Sequence, residues 1–100
     1  MGTISFHSGA IDDLKNALEY YKDISHGLLG RFKAEFEIRL HVISQSPKIF
    51  QKTRKNIRKC KMNKFPFHII FQEYDEFILI LAIAHFKRNP GYWKKRKLNE

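Results

Sequence analysis

The sequence contains little cysteine, proline or glycine: its 100 residues include one cysteine, three prolines and five glycines. The single cysteine, Cys60, excludes an internal disulfide and is typical of a protein in a reducing, cytoplasmic compartment. The longest apolar run covers only residues 77–84, whereas a membrane-spanning helix needs about 20 apolar residues. No basic region followed by an apolar stretch opens the chain, so we predict no secretory signal and a cytoplasmic location.

Motifs that mark common active sites are also missing. The chain has no glycine-rich phosphate loop, no HExxH pair and no Gly-x-Ser-x-Gly elbow. Its five histidines do not have the spacing of metal ligands, so we expect neither a metal nor a cofactor. Lys59 and Lys61 would favour a thiolate at Cys60, but a thiol nucleophile also needs an oriented base.

Apolar and aromatic residues are plentiful. Hydrophobic residues make up 43% of the chain and aromatic residues 14%, with nine phenylalanines. A disordered chain would be poorer in aromatic residues, and a chain of this length has room for one hydrophobic core rather than two. We therefore predict a single globular domain over residues 1–100.

Positive charge is concentrated in the second half of the chain. Residues 1–47 carry five basic and six acidic side chains, whereas residues 48–100 carry 14 basic and four acidic ones. Eight of these cations follow one another without an acid between them: Lys48, Lys52, Arg54, Lys55, Arg58, Lys59, Lys61 and Lys64. Such a density suits a nucleic acid, a ribosome or an acidic protein segment as partner. It equally suits a solvated edge strand whose lysines prevent aggregation.

The hydrophobic periodicity predicts helices first and strands later. After a short strand at residues 3–7, Ser8 is a suitable N-cap for a helix over residues 9–23, and a second helix covers residues 28–45 until Pro47 ends it. Strands are predicted at residues 57–62, 67–73 and 77–85, the last apolar enough to be buried on both faces, and residues 92–98 form a basic tail of one or two helical turns. This order indicates an α+β domain in which a helical hairpin covers one face of an antiparallel sheet.

A cluster of polar and aromatic residues follows the buried strand. His85 and Arg88 lie where that strand leaves the core; a histidine there can transfer protons, and an arginine can hold a phosphate. Tyr92 and Trp93 offer flat faces on which bases can stack. Two plainer interpretations stay open: His85 hydrogen-bonds the backbone at the strand end, and Trp93 packs the tail on the core.

Short motifs recur in a fixed order along nearly the whole chain. They are Asp13-Leu14, Tyr20-Tyr21, Gly27-Leu28-Leu29-Gly30-Arg31-Phe32, Ile43 with Pro47, Ile57-Arg58, Phe65-Pro66-Phe67, Leu81-Ala82-Ile83-Ala84-His85, Arg88, Pro90 and Tyr92-Trp93. This ordered set resembles the RelE/ParE superfamily of type II toxins, and within it the ParE-like, plasmid-stabilisation branch. The resemblance implies a helical hairpin on a curved antiparallel sheet. It also implies a growth-inhibiting toxin that is neutralised by a cognate antitoxin with an acidic, disordered tail.

The resemblance leaves the mechanism open between two branches. ParE-like members inhibit DNA gyrase, whereas RelE-like members cleave mRNA in the ribosomal A site. We favour gyrase inhibition, because the nuclease residue set is incomplete: His68 stands where those nucleases keep an arginine. The alternatives are a ribosome-dependent mRNA endoribonuclease and a non-toxic remnant that only binds its antitoxin, so whether the protein is an enzyme stays open.

The resemblance also suggests site residues for each alternative. In a ribonuclease, His68 and His85 would supply acid and base, with Arg58 and Arg88 on the phosphate. The residues that we predict to bind a nucleic acid or another target are Lys52, Arg54, Lys55, Arg58, Lys59, Lys61, Tyr92 and Trp93.

Overall fold

The computed structural model describes residues 3–97, in which two helices pack on a five-stranded sheet. The elements are β1 (Thr3–Phe6), α1 (Ser8–Ile24), α2 (His26–Gln45), a 3-10 helix (Pro47–Ile49), β2 (Gln51–Arg54), β3 (Ile57–Lys61), β4 (Phe67–Glu73) and β5 (Phe77–His85). The α+β class predicted from the sequence is confirmed. Within residues 3–97, no helix has the length and apolar character that crossing a membrane requires.

A single serine separates the two helices. The Ser25 N–H donates to the Tyr21 carbonyl at 3.0 Å at the end of α1, and the Ser25 hydroxyl accepts from the Leu28 N–H at 3.0 Å at the start of α2. One residue thus caps both helices and makes the hairpin tight. At the start of α1 the prediction is corrected: the N-cap is His7 rather than Ser8, and its Nδ1 accepts from the Gly9 N–H at 2.9 Å.

The sheet has the order β1-β5-β4-β3-β2 and is mixed. The strands β3 to β5 form antiparallel pairs, as predicted, and β2 is antiparallel to β3, but β1 runs parallel to β5. Alternation along a strand specifies which residues face the core, not the direction of the neighbouring strand. β1 has four residues and β5 has nine, so the later part of β5 extends beyond its parallel partner.

The edge strand β2 has no counterpart in the sequence prediction. Its four residues are polar or charged and all are exposed, so no alternation of apolar residues marks it. Backbone pairing with β3 forms the strand through a tight turn, in which Lys55 has a φ of 44°. Its exposed, cationic composition is typical of a sheet edge that is protected from aggregation.

Both faces of β5 are buried, as the sequence predicts. Ile78, Ile80 and Ile83 join the main core together with the aromatic residues of the helices. On the opposite face, which we call the helix-free face, a smaller cluster comprises Ile70, Leu79, Leu81, Ala82, Ala84 and Trp93. A bulge at Leu81, where Ile70 pairs with Ala82 and Phe71 with Ile80, shifts the alternation and brings Ile83 to the helix side.

The C-terminal segment covers the helix-free face with turns instead of the predicted helical turns. The Tyr92 N–H donates to the Asn89 carbonyl at 3.2 Å, and the Lys94 N–H donates to the Gly91 carbonyl at 2.9 Å. Gly91 has a φ of 78°, a left-handed conformation that suits glycine and interrupts a right-handed helix. The prediction of helical turns also included Leu98, which lies outside the described residues.

Candidate functional site

Three of the predicted site residues, His68, His85 and Arg88, line one cavity on the helix-free face. Its volume is ≈ 250 Å³. The strand β4 supplies His68, which pairs with Ala84, and the end of β5 supplies His85, which pairs with Phe67. Arg88 follows in the turn after β5. The structure therefore brings His68, His85 and Arg88 together, whereas Arg58, the fourth residue that the ribonuclease alternative requires, lines another cleft with Glu73.

The His68 ring packs beside an aromatic ring and is close enough to two lysines to feel their charge. Its centroid is 4.8 Å from that of Phe86. Burial, followed by the positive charges of Lys59 and Lys61, lowers the pKa of His68 from 6.5. His68 is therefore mainly neutral at neutral pH, which is the protonation state of a general base.

His85 makes the backbone contact that the plainer interpretation predicts. Its Nδ1 accepts from the Lys87 N–H at 3.0 Å, and its ring packs edge-on against Phe67 with 5.1 Å between centroids. In a neutral imidazole, an accepting Nδ1 places the proton on Nε2. His85 thus offers a hydrogen-bond donor at Nε2.

Arg88 stacks on the ring of Tyr92. The guanidinium carbon lies 3.8 Å from the ring centroid, and the Tyr92 hydroxyl donates to Asp13 Oδ2 at 2.9 Å. Burial, and then the hydrogen bond to Asp13 and its charge, raises the pKa of Tyr92 to about 12. One face of the ring is therefore covered and its hydroxyl is engaged, which limits both base stacking and proton transfer.

The same Asp13 oxygen organises the edge of β5. Oδ2 also accepts from the Ile83 N–H at 3.1 Å and from Arg96 Nη1 at 2.8 Å. Arg96 Nη1 donates in addition to the Leu81 carbonyl at 2.8 Å. A carboxylate from α1 and a guanidinium from the tail thus satisfy backbone groups of β5 beyond the end of β1.

Trp93 packs the tail on the core, as the second plainer interpretation predicts. It is 7% exposed and belongs to the cluster on the helix-free face. Its indole lines the cavity but presents little surface to a base. A stacking role for Trp93 would require the tail to move away from the sheet.

The basic segment contains cations that are already paired. Arg58 is ion-paired with Glu73, and its Nη1 donates to the Phe50 carbonyl at 3.0 Å. Lys48 Nζ lies 3.2 Å from the other oxygen of Glu73. Burial alone would raise the pKa of Glu73, but the hydrogen bonds and charges of Arg58 and Lys48 hold it below its ordinary value. Arg58, predicted to hold a phosphate, is thus engaged inside the protein.

The other predicted binding cations divide among three cavities. Lys52 lines a cleft of ≈ 520 Å³ beside the end of α2. Arg54 lines a cavity of ≈ 260 Å³ against the tail, Lys55 lines both that cavity and the cleft, and Lys59 lines the cavity that holds the histidines. Lys61 is exposed on β3. The basic segment therefore does not form one continuous surface.

Sequence reasoning did not select Asp13, Arg96 or Glu73 as site residues. Their partners are distant along the chain: Arg96 binds Asp13, and Glu73 binds Arg58 and Lys48. Glu73 is one of four acids in the basic half of the chain, and Asp13 looks like any acid near a helix start. Such pairs become visible only when the fold is known.

The geometry of the described residues gives no support to a cysteine nucleophile or to a metal site. Cys60 is fully buried, and burial raises the pKa of its thiol to about 11, so the thiolate nucleophile is scarce at neutral pH. Within residues 3–97, no three His, Cys, Asp or Glu side chains are grouped as metal ligands.

Comparisons with known proteins agree with one another. Residues 4–90 match the sequence model of a family described as ParE toxin of type II toxin-antitoxin system, parDE. The chain is 32% identical over 86 residues to Toxin ParE2 from two strains of Mycobacterium tuberculosis, covering 85% of this chain and 82% of the relative. A solved structure, "Chromosomal ParDE TA system from P. aeruginosa", has a TM-score of 0.67 at 19% identity, covering 85% of this chain and 96% of that chain. This last likeness shows a shared fold.

Proposed function

Because this chain belongs to the ParE toxin family and is a ParE-like toxin of a type II toxin–antitoxin system, we propose that it arrests growth by inhibiting DNA gyrase in the cytoplasm. The family implies a cognate antitoxin as partner. Gyrase is the target that the resemblance to the ParE-like branch suggests.

The observation that favours gyrase inhibition over RNA cleavage is that Arg58 and Tyr92 are held by contacts inside the protein. Arg58 is held by Glu73, and the Tyr92 hydroxyl by Asp13. In the ribonuclease alternative, Arg58 would hold a phosphate and Tyr92 would stack on a base, and these contacts compete with both roles. Inhibition of gyrase by binding requires neither, so this arrangement supports the ParE-like role.

We propose that the antitoxin contacts both the helices and the basic half of the chain. Four large apolar residues are exposed on the helices: Ile11, Tyr20, Ile24 and Ile38. Apolar anchors of this kind suit a segment that folds on binding. The net charge of +9 suits an acidic antitoxin tail.

Controlled expression in cells with a reporter plasmid tests the proposed function. We expect growth arrest and progressive loss of negative plasmid supercoiling, because gyrase introduces the negative supercoils that relaxing topoisomerases remove. Co-expression of the antitoxin should prevent both effects. Growth arrest with normal plasmid supercoiling would contradict the gyrase proposal, and unaffected growth together with tight antitoxin binding would indicate the non-toxic remnant.

Ribosome-dependent RNA cleavage remains the second candidate because His68, His85 and Arg88 line one cavity. In that case neutral His68 would act as the base and Arg88 as the phosphate ligand, while His85, whose Nδ1 accepts from the Lys87 N–H, would donate a hydrogen bond from Nε2 to the substrate. Primer extension on mRNA translated in vitro distinguishes this candidate. New cuts at A-site codons that disappear in a folded Arg88→Ala variant would establish it, whereas intact mRNA would exclude it.

A further inference from the structure

The helix-free face carries a group of cations that are not ion-paired. Two cavities on this face, of ≈ 250 and ≈ 260 Å³, are lined by Arg96, which is paired with Asp13, and by six further cations: Arg54, Lys55 (which also lines the cleft with Glu73), Lys59, Arg88, Lys94 and Lys97. No Asp or Glu of the described chain lines either cavity. None of the six has a carboxylate of residues 3–97 as an ion-pair partner. Their charges therefore remain available to an anionic ligand.

Strand alternation separates these cations from the paired ones. Successive residues of β3 face opposite sides of the sheet: Ile57 and Lys59 line the helix-free cavities, whereas Arg58 lies in the cleft with Glu73 and Cys60 joins the main core. The turn after β2 and the C-terminal tail add their cations to the same face as Lys59. Segments distant in the sequence thus converge on one positively charged surface.

The composition of this face favours a phosphate backbone over an acidic peptide. Of the six large apolar residues that are exposed in residues 3–97, only Phe86 lines either cavity. A peptide that folds on binding needs apolar anchors to offset its loss of entropy. Nucleic acid backbones are bound through charge, with release of counterions, and need no such anchors.

The covered aromatic rings favour a duplex over a single strand. Proteins that bind single-stranded nucleic acid stack its bases on exposed aromatic side chains. Here Trp93 is 7% exposed, and Arg88 lies over the ring of Tyr92. Duplex backbones require cations at the surface but no stacking platform.

We propose that the helix-free face binds the phosphate backbone of duplex DNA directly, without gyrase. The preference for DNA over duplex RNA rests on the proposed function, since gyrase holds a DNA duplex. The toxin would then contribute its own DNA contact when it meets gyrase on DNA. This activity is separate from gyrase inhibition and can be measured without it.

Fluorescence anisotropy of a short DNA duplex with the purified protein, at several salt concentrations, tests this proposal. The face variant is Lys94→Glu/Lys97→Glu, and the matched control is Lys15→Glu/Lys33→Glu, which changes the net charge equally at exposed positions on α1 and α2. The affinity of the wild type should fall as salt rises. Removing two phosphate contacts should make the negative slope of log affinity against log salt shallower by about 1.8, and should weaken binding about tenfold or more. The control should bind nearly as well as the wild type.

Equal loss in the two variants, or no binding by the wild type, would overturn the proposal. Competition by polyglutamate, by single-stranded DNA or by duplex RNA that equals or exceeds competition by duplex DNA would overturn it as well. Thermal melting checks that the variants are folded. The variant Lys94→Ala/Lys97→Ala, which removes the two charges without reversing them, should weaken DNA binding by a smaller amount. A protein that inhibits supercoiling but does not bind DNA would contradict this inference and leave the proposed function intact.

Discussion

Arg58 and Lys59 are adjacent in the sequence but lie on opposite faces of the sheet. Arg58 is ion-paired with Glu73, whereas Lys59 lines the cavity that contains His68. The pleat of β3 produces this separation, because successive side chains of a strand point to opposite faces. Some cations of the chain, such as Arg58, are therefore paired inside the protein, so a count of basic residues overstates the number that can bind a ligand.

The pKa of His68 provides a prediction at this scale. In an NMR titration, the midpoint of His68 should lie below 6.5, and the Lys59→Ala/Lys61→Ala variant should raise it part of the way back. The recovery should be partial, because burial, the largest single cause of the lowered pKa, remains in the variant. A midpoint at or above 6.5 in the wild type, or no response to the double substitution, would contradict this account of His68.

The lowered pKa also determines how His68 affects stability. Since the folded-state pKa lies below the unfolded value of about 6.5, protonation favours the unfolded chain. The contribution of neutral His68 is therefore fully present above pH 6.5 and is lost as the pH falls through the folded-state pKa. In a His68→Gln variant, the free energy of unfolding should lack this part of its pH dependence.

Individual residues of the candidate site differ in how well the sequence predicts them. The position of His85 and Arg88 after an apolar strand was sufficient to place both near the rim of the core. Burial of Trp93 and engagement of Tyr92 depend on Asp13 and on the sheet surface, which lie far away in the chain. No local pattern contains that information.

At the scale of elements, the later part of β5 depends on side chains for its edge. The short strand β1 ends early, and Asp13 and Arg96 bond the Ile83 N–H and the Leu81 carbonyl instead. The same two side chains connect α1, β5 and the tail. The docking of the tail is thus coupled to the first helix.

Replacing Asp13 tests this coupling. Asp13 is 9% exposed, and Asp13→Asn should destabilise the protein by about 3 kcal/mol, because it leaves the Arg96 guanidinium without its carboxylate. The exposed neighbour Asp12 provides the control, since Asp12→Asn should change stability by less than about 0.5 kcal/mol. Urea unfolding followed by circular dichroism measures both. Similar losses in the two variants would contradict the proposed role of Asp13.

Elements with a strong apolar pattern were predictable from the sequence, and those without one were not. The two helices and β5 carry stripes or runs of apolar residues, and the structure confirms them. β2 has no apolar residue and is defined by its pairing with β3. The parallel direction of β1 and the turns around Gly91 likewise depend on tertiary contacts and backbone geometry.

On the scale of the whole molecule, the two sides of the sheet differ in chemistry. The helical side exposes large apolar residues on α1 and α2, whereas the helix-free face gathers unpaired cations. We propose that the first side suits a protein partner and the second suits a phosphate backbone. The fold class followed from the order of the predicted helices and strands, and the toxin family from the order of the motifs. The difference between the two sides of the sheet became apparent only from the topology.

Supercoiling of relaxed plasmid by purified gyrase and ATP, with this protein added, tests the central claim most directly. We predict dose-dependent inhibition that the purified cognate antitoxin reverses, with antitoxin alone having no effect. The toxin in this assay should be purified from an expression strain whose growth it arrests, so that it is known to be active. Full supercoiling in the presence of saturating active toxin would contradict the claim that gyrase is its target.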